Sequence, residues 1–491
     1  MPNVPHAHDP WHLAELQTTD LGDERLNQRL ALILAAFTDR PNASIPAALG
    51  GRNELEAAYR FCDNKKVTPA KILQPHFQAT LQRCQQQKVV LCPQDTSELD
   101  FTRPQQQVQG AGALDGTSRF GAFLHLNEAF TEEGTPLGAS GAQLWSRPET
   151  DTTQPKHSQS EKRKQRRALP IEQKESIRWL EGIRTTQKLA EKCPGTLYVS
   201  LSDSEGDIYE LLIEPRTTDN FHWIVRACQD RKVLDAQGET VGVIRDALLQ
   251  EPVLATKEIS VRGRKQKIAC ETRSRRTTRI SRQAMVELRT CCVTMRAPVN
   301  HQGSVRSIKS NVVLVREPDP PAGEEPIEWI LLTTLPISTL EEVCTVLRYY
   351  TVRWMIEIFF RTLKSGCRIE DRRFETLARM LACTAIYVIA AWRTLSVCRL
   401  GRSGPNMPCD KIFDASEWQS VWSVTHRGEP VPERAPPLAE MVRLIASLGG
   451  YVARGSTALP PSAETVWKGL QRMRDLARGW ETYGPGTNAE R

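Results

Sequence analysis

Three carboxylates stand out by where the chain sets them. Asp95 follows the apolar run Lys88-Val89-Val90-Leu91-Cys92, Asp203 follows Leu197-Tyr198-Val199-Ser200-Leu201-Ser202, and Glu357 lies inside the helical stretch Tyr350–Lys364. Both apolar runs read as buried strands. An acid at the carboxyl end of such a strand sits at the sheet rim, where α/β folds place ligand chemistry. One Asp in a strand-ending turn is commonplace, but two strands each delivering one to the same edge would begin an oxygen-ligand site. Hard divalent cations such as magnesium take oxygen ligands and keep positions open for phosphate and water. Two such ions roughly 3.5–4 Å apart activate an attacking oxygen and stabilise a leaving oxygen in phosphoryl transfer. The chemistry these residue types suit is therefore metal-assisted transfer at a phosphodiester, with manganese as a substitute for magnesium.

The stretch around Glu357 supports that expectation. Ser338-Thr339-Leu340-Glu341 reads as a capping box with Ser338 as the cap. No Pro or Gly then interrupts the run before Gly366, so one continuous helix is expected. At about 100° per residue, Tyr350, Arg353, Glu357, Arg361 and Lys364 share an arc of roughly 80°. Val352, Met355, Ile356, Phe359 and Leu363 take the opposite side. Arg353 and Lys364 could neutralise phosphates flanking the metal-binding acid, Arg with two parallel hydrogen bonds. The same stripe also fits a surface ladder of ion pairs, each contributing only about 0.2–0.5 kcal/mol.

The elements that must position these groups can be followed along the chain. Residues 1–87 read as a helical unit: Leu26, Leu30, Ile33, Leu34 and Phe37 form one helical face, Thr68-Pro69 is a cap followed by Pro, and Glu54–Phe61 carries Tyr59 and Arg60. It suits either a packing module or a DNA-binding head. Residues 88–234 hold the two acid-bearing strands, a further strand Phe120–Phe130, a helix from Glu172 to about Lys192, and a core strand His222–Ala227 exiting through Arg226. The run after Asp203, Ser204-Glu205-Gly206-Asp207-Ile208, turns into a helix. Residues 235–325 look like a β-rich insertion, with alternating stretches at Glu258–Val261 and Asn311–Arg316. Residues 326–400 resume the core through strand Glu328–Thr333 and remain helical after Lys364 to about Arg399. Residues 401–491 begin with a Pro- and Gly-containing linker to Pro437 and end in a helical unit over Leu438–Trp480 that suits intrachain packing or a subunit contact.

Composition excludes several classes. The 491 residues are 25% charged and 40% hydrophobic, a globular rather than a disordered balance. The formal charge of +7 is modest, and its placement says more. Cations gather at Lys162–Arg167 and at Arg262, Arg264, Lys265, Lys267, Arg273, Arg275, Arg276, Arg279 and Arg282, where self-repulsion favours a polyanionic partner. The 13 cysteines show no CxxC pairing, so neither a zinc site nor a disulfide framework is expected. The apolar run Met380–Trp392 looks too short to span a bilayer. The first residues lack a cationic start and an apolar signal core. No membrane role and a cytoplasmic location are therefore expected.

Tyr350-x2-Arg353-x3-Glu357-x6-Lys364 resembles the signature of DDE transposases of the insertion-sequence-four type, the group containing the transposon-five enzyme. Gln94-Asp95-Thr96-Ser97-Glu98-Leu99, the Asp203…Asp207-Ile208-Tyr209 run and Glu328–Thr333 match further motifs of that family. So do Leu21–Leu26, Ala57–Phe61 and Leu448–Arg454, so every region of the chain is touched. The resemblance implies an α/β fold: an RNase-H-like catalytic core interrupted by a β-rich insertion, with helical N- and C-terminal domains for DNA binding and dimerisation. It implies a bacterial enzyme that binds double-stranded DNA at its element's inverted repeats and at target DNA, working as a homodimer in a paired-end complex. Asp95, Asp203 and Glu357 would hold two Mg2+ ions. Tyr350, Arg353 and Lys364 would hold end phosphates, Trp329 or Trp354 would stack on a flipped base, and Arg226 and Arg60 are further DNA-contact candidates. One departure is Ser204, where relatives often carry Arg after the second Asp. A nuclease without strand transfer and a non-catalytic DNA-binding repressor remain the alternatives.

Overall fold

The computed structural model describes residues 11–115, 118–148, 169–261, 281–301, 303–453 and 460–484. The Lys162–Arg167 loop and the cations from Arg262 to Arg279 lie outside the described residues. Residues 1–154 and 354–491 form one compact unit, and 155–353 form a second.

In the first unit, β1 (Val89–Asp100), β2 (Gly112–Ala113), β3 (Phe120–Phe130) and β4 (Pro136–Trp145) build an antiparallel sheet centred on β3. β1 lies along one edge of β3, with Leu91 opposite Phe130 and Asp95 opposite Leu126. The helices Pro69–Cys84 and Leu377–Ser403 pack on β4, and Met355–Arg361 packs on β1. Leu30, Ile33, Leu34 and Phe37 are buried as their spacing predicts, and the Phe37 ring stacks on Tyr387 at 4.6 Å. The expected strand end at Asp95 is corrected: β1 runs on to Asp100, because residues as far as Asp100 still find ladder partners on β3.

The Leu377–Ser403 helix is 27 residues long and apolar enough to cross a membrane, contrary to the reading of its central run as too short. Its most apolar window is 89% buried inside the protein, so it is the core helix of this unit. Helices Glu24–Asp39, Pro69–Cys84 and Leu438–Leu448 all pack against it. The expected linker before Pro437 holds a helix of its own, Ala415–Thr425, whose Trp418 and Val421 enter an apolar core with Met441, Ile445, Leu470 and Met473. Helices Leu438–Leu448 and Ala463–Tyr483 meet so closely that a methyl on Gly469 would sit 1.8 Å from the Ile445 carbonyl oxygen.

In the second unit, β5 (Leu197–Ser202) and β6 (Phe221–Arg226) run parallel, and the helix Ile177–Lys192 packs on both. The sheet continues through β12 (Glu328–Thr333), β11 (Ser307–Arg316), β10 (Arg282–Arg296), β7 (Lys232–Leu234) and β8 (Thr240–Val243). β9 (Ala255–Val261) pairs with the remaining length of β10. The sequence between β6 and β12 is thus β-rich, and it extends the same sheet by edge pairing.

The helix carrying Glu357 departs from expectation in two ways. Its cap is Thr339, paired reciprocally with Glu342, one residue beyond the box expected at Ser338. It is also not one regular helix: Leu340–Val352 ends at Arg353, Met355–Arg361 follows, and Thr362–Gly366 is a π-turn closed by Cys367 N–H on the Thr362 carbonyl at 2.8 Å. Arg353 N–H bonds the Tyr350 carbonyl and Glu357 N–H bonds the Trp354 carbonyl, each three residues back. The backbone thereby changes hydrogen-bond register at the join, which shifts the residue spacing around the stripe. Past the π-turn the chain is extended at Arg372 before Thr376 caps the core helix, so the expected unbroken helix to Arg399 is not formed.

Candidate active site

In the first unit, Asp95 and Glu357 are both half-buried, and the helix of Glu357 lies on the strand of Asp95. One Asp95 carboxylate oxygen accepts the Thr96 N–H at 2.7 Å. Beside it on β1, Thr96 Oγ1 and Gln94 Oε1 both meet the buried His125 ring, at 2.9 and 3.1 Å. This polar network locks the β1–β3 register around Asp95, a role that the residue types alone did not announce. Lys364, carried by the π-turn, donates to the Glu98 carbonyl at 2.8 Å and pairs with Glu370 at 3.0 Å. π-turns inside helices recur at functional sites because they re-aim a side chain; here the turn aims Lys364 along β1. Arg361 pairs with Glu464 at 3.0 Å. Trp354 is exposed, as is Arg60 on the helix Arg52–Asp63.

In the second unit, Asp203 caps the short turn Ser204–Gly206, accepting the Glu205 N–H at 2.8 Å. Arg226, the last residue of β6, reaches across to donate to Ser204 Oγ at 3.2 Å. Tyr350 is buried, and burial raises its phenol; Arg353 and Arg226 oppose that shift while the Asp203 charge adds to it. Asp203, Arg226 and Arg353 thus each lie near enough to Tyr350 for their charges to act on its phenol. Trp329 closes the group, its ring edge-on to Tyr350 at 5.8 Å. Arg353 is buried rather than displayed on an outer stripe. Arg282 is bound to Glu317 and Glu324, so this cation of the expected DNA-facing set has acidic partners in the chain.

The donor chemistry suits a hard divalent cation. Asp95, Asp203 and Glu357 offer oxygen only, two of them with one oxygen already oriented by a backbone N–H. Asp95 and Glu357 come from the first unit and Asp203 from the second.

The family model described as Transposase DDE domain matches residues 142–392, just over half of the chain. The chain belongs to the DDE transposases. Two further family models match beside it, Transposase DNA-binding over residues 8–67 and Transposase Tn5 dimerisation domain over residues 388–483. Among solved structures the chain is similar to the cryo-EM structure of piggyBac transposase synaptic complex with hairpin DNA, at 12% identity over 89% of this chain and 76% of that one, with a TM-score of 0.36. The transposase has an RNase-H-like α/β core, a DNA-binding domain and a dimerisation domain, and it is a metal-dependent DNA-cleaving and strand-transferring enzyme. The DDE match takes in Asp203 and Glu357 and begins downstream of Asp95.

Proposed function

We propose that this transposase binds the terminal inverted repeats of its own element, pairs two ends through a homodimer, and excises and inserts the element by cut-and-paste chemistry. Asp95, Asp203 and Glu357 hold two Mg2+ ions, for which Mn2+ can substitute. Bound there, the ions supply activation of the attacking oxygen and charge stabilisation at the leaving oxygen. The chain's own residues position the DNA. Arg353, Arg226 and Lys364 take phosphates beside the scissile bond, Tyr350 sets Arg353 from within the core, and Arg60 contacts the end sequence from the N-terminal domain. Trp329, or Trp354 on the exposed side, stacks on a base extruded as the hairpin forms; such stacking offsets an unstacking cost of a few kcal/mol. Double-stranded target DNA then accepts the 3′ ends. The substrate sets the place of action, the bacterial cytoplasm against the nucleoid.

The observation that carries this reading is the packing of the Glu357 helix on the Asp95 strand, in a chain whose strand-end acid Asp203 lies near Tyr350, as do Arg353 and Arg226. The test is incubation of purified protein with its own element ends and Mg2+, scoring nicks, hairpins and strand-transfer products. Glu357→Ala should abolish all three while leaving end binding intact. Persistent cleavage by that variant would refute the acid assignment, and cleavage without joined product would favour the plain nuclease.

A further inference from the structure

The loop that begins at Asp203 is laced to the turn after β6 by a second acid that the metal-site reading does not use. Asp207 is buried, and its carboxylate accepts the backbone N–H groups of Cys228 and Gln229 at 2.7 and 2.8 Å. The same carboxylate is bound by Arg231, whose other terminal nitrogen donates to the Asp207 carbonyl at 3.1 Å. Two further bonds close the lacing: Arg226 donates to Ser204 Oγ at 3.2 Å, and the Cys228 thiol points to the Ser204 carbonyl at 3.2 Å. Between the two acids, Gly206 fits because a methyl there would lie 2.6 Å from Ser202 Cβ at the end of β5. The loop 203–207 and the turn 226–231 therefore form one rigid piece, with Asp203 at one end and Arg226 at the other. A carboxylate holding two backbone amides and a guanidinium is a strong anchor, since bonds to charged groups exceed neutral ones roughly twofold.

We propose that Asp207 is a positioning residue for DNA cleavage: by gripping Cys228, Gln229 and Arg231 it fixes Asp203 and Arg226 relative to each other. The inference rests on the reading of Asp203 as a metal-holding acid and Arg226 as a phosphate contact. It extends that reading to a residue whose carboxylate is engaged by Cys228, Gln229 and Arg231. Groups that orient a metal ligand from behind commonly change metal affinity or activity by about 10–100-fold when removed.

The test uses full-length protein bound to its own end DNA. Mn2+ binding is measured by electron paramagnetic resonance and end cleavage under single-turnover conditions, both normalised to the folded fraction from circular dichroism. Asp207→Asn should weaken Mn2+ binding roughly tenfold and slow cleavage about 10–100-fold, with end-DNA affinity changed less than about threefold. Asp207→Glu, which keeps the charge, should recover part of both. If the single variant folds poorly because Arg231 is left buried and unpaired, the double variant Asp207→Asn with Arg231→Gln removes that charge and carries the same measurements. Wild-type Mn2+ affinity and wild-type cleavage per folded molecule would overturn the proposal, leaving Asp207 a stabilising ion pair. An Asp203→Ala arm separates the two readings. Cleavage surviving in that arm defeats the metal assignment itself, whereas a dead Asp203→Ala beside a normal Asp207→Asn defeats only the positioning role.

Discussion

Trp329 meets Tyr350 edge-on, with ring centroids 5.8 Å apart and planes inclined at 62°. Stacking of a base on an aromatic ring contributes about 1–3 kcal/mol. Trp329→Ala should therefore slow hairpin formation roughly 10–100-fold while first-strand nicking stays near normal. The check is a time course resolving nick from hairpin, with a 2-aminopurine at the extruded position whose quenching the variant should lose. Equal slowing of both steps would reject the stacking role.

Glu15 ties the first helix, Trp11–Glu15, to the core. It accepts from Arg83 at 2.8 and 3.0 Å and is bound by His76, whose other ring nitrogen accepts the Ala139 N–H at 2.9 Å. Burial works to raise the Glu15 carboxyl, but His76 and Arg83 outweigh it and bring it down to about 2. A carboxyl depressed on folding stabilises the protein above its ordinary range, and that contribution fades as pH falls from about 4.5 toward 2. Glu15→Gln should cost about 3 kcal/mol at neutral pH. The deficit should shrink toward zero as pH approaches 2, as read by melts of both proteins across that range.

Glu128 runs the other way. It is buried on β3 with neither carboxyl oxygen hydrogen-bonded among the described residues, and burial lifts it well above the usual carboxylate range. The neutral form is the one the fold favours, so its contribution is full below the ordinary carboxylate range and lost as pH rises through the elevated value. Glu128→Met should raise stability by about 1–3 kcal/mol near pH 8 and by less near pH 4. Equal effects at both pH values would show that packing rather than protonation sets the difference.

Gly469 has no room for a side chain against Ile445. Gly469→Ala should push the two C-terminal helices apart at a cost of about 1–3 kcal/mol. Because these helices lie within the dimerisation domain, sedimentation should show weakened self-association. An unchanged dimer would place the subunit contact elsewhere.

The strands β3 and β12 were legible because runs of apolar and β-forming residues are local signals: both span the expected residues, and β6 falls within one residue of the expected strand at each end. The hydrogen-bond register at Arg353 and Trp354 was not legible, since nothing in residue spacing distinguishes an α-helix from one that slips a bond and closes in a π-turn. The partners of Lys364 escaped for a different reason. Glu98 lies 266 residues away in sequence, and Glu370, although close in sequence, reaches Lys364 only because the chain leaves the helix through a π-turn and a short 3₁₀ turn. The run containing Asp207 predicts the opening of a helix, whereas the helix that follows is four residues long and the acid is buried.

The Leu377–Ser403 helix has a consequence for how such a protein can change over time. The DDE and dimerisation matches overlap on it at residues 388–392, and its most apolar window is 89% buried inside the protein. Catalysis and self-association are therefore inherited as one piece. A recombination event that joined this catalytic half to a foreign partner-binding half would have to cut through a buried rod, not a flexible hinge, and match a new apolar surface along its whole length.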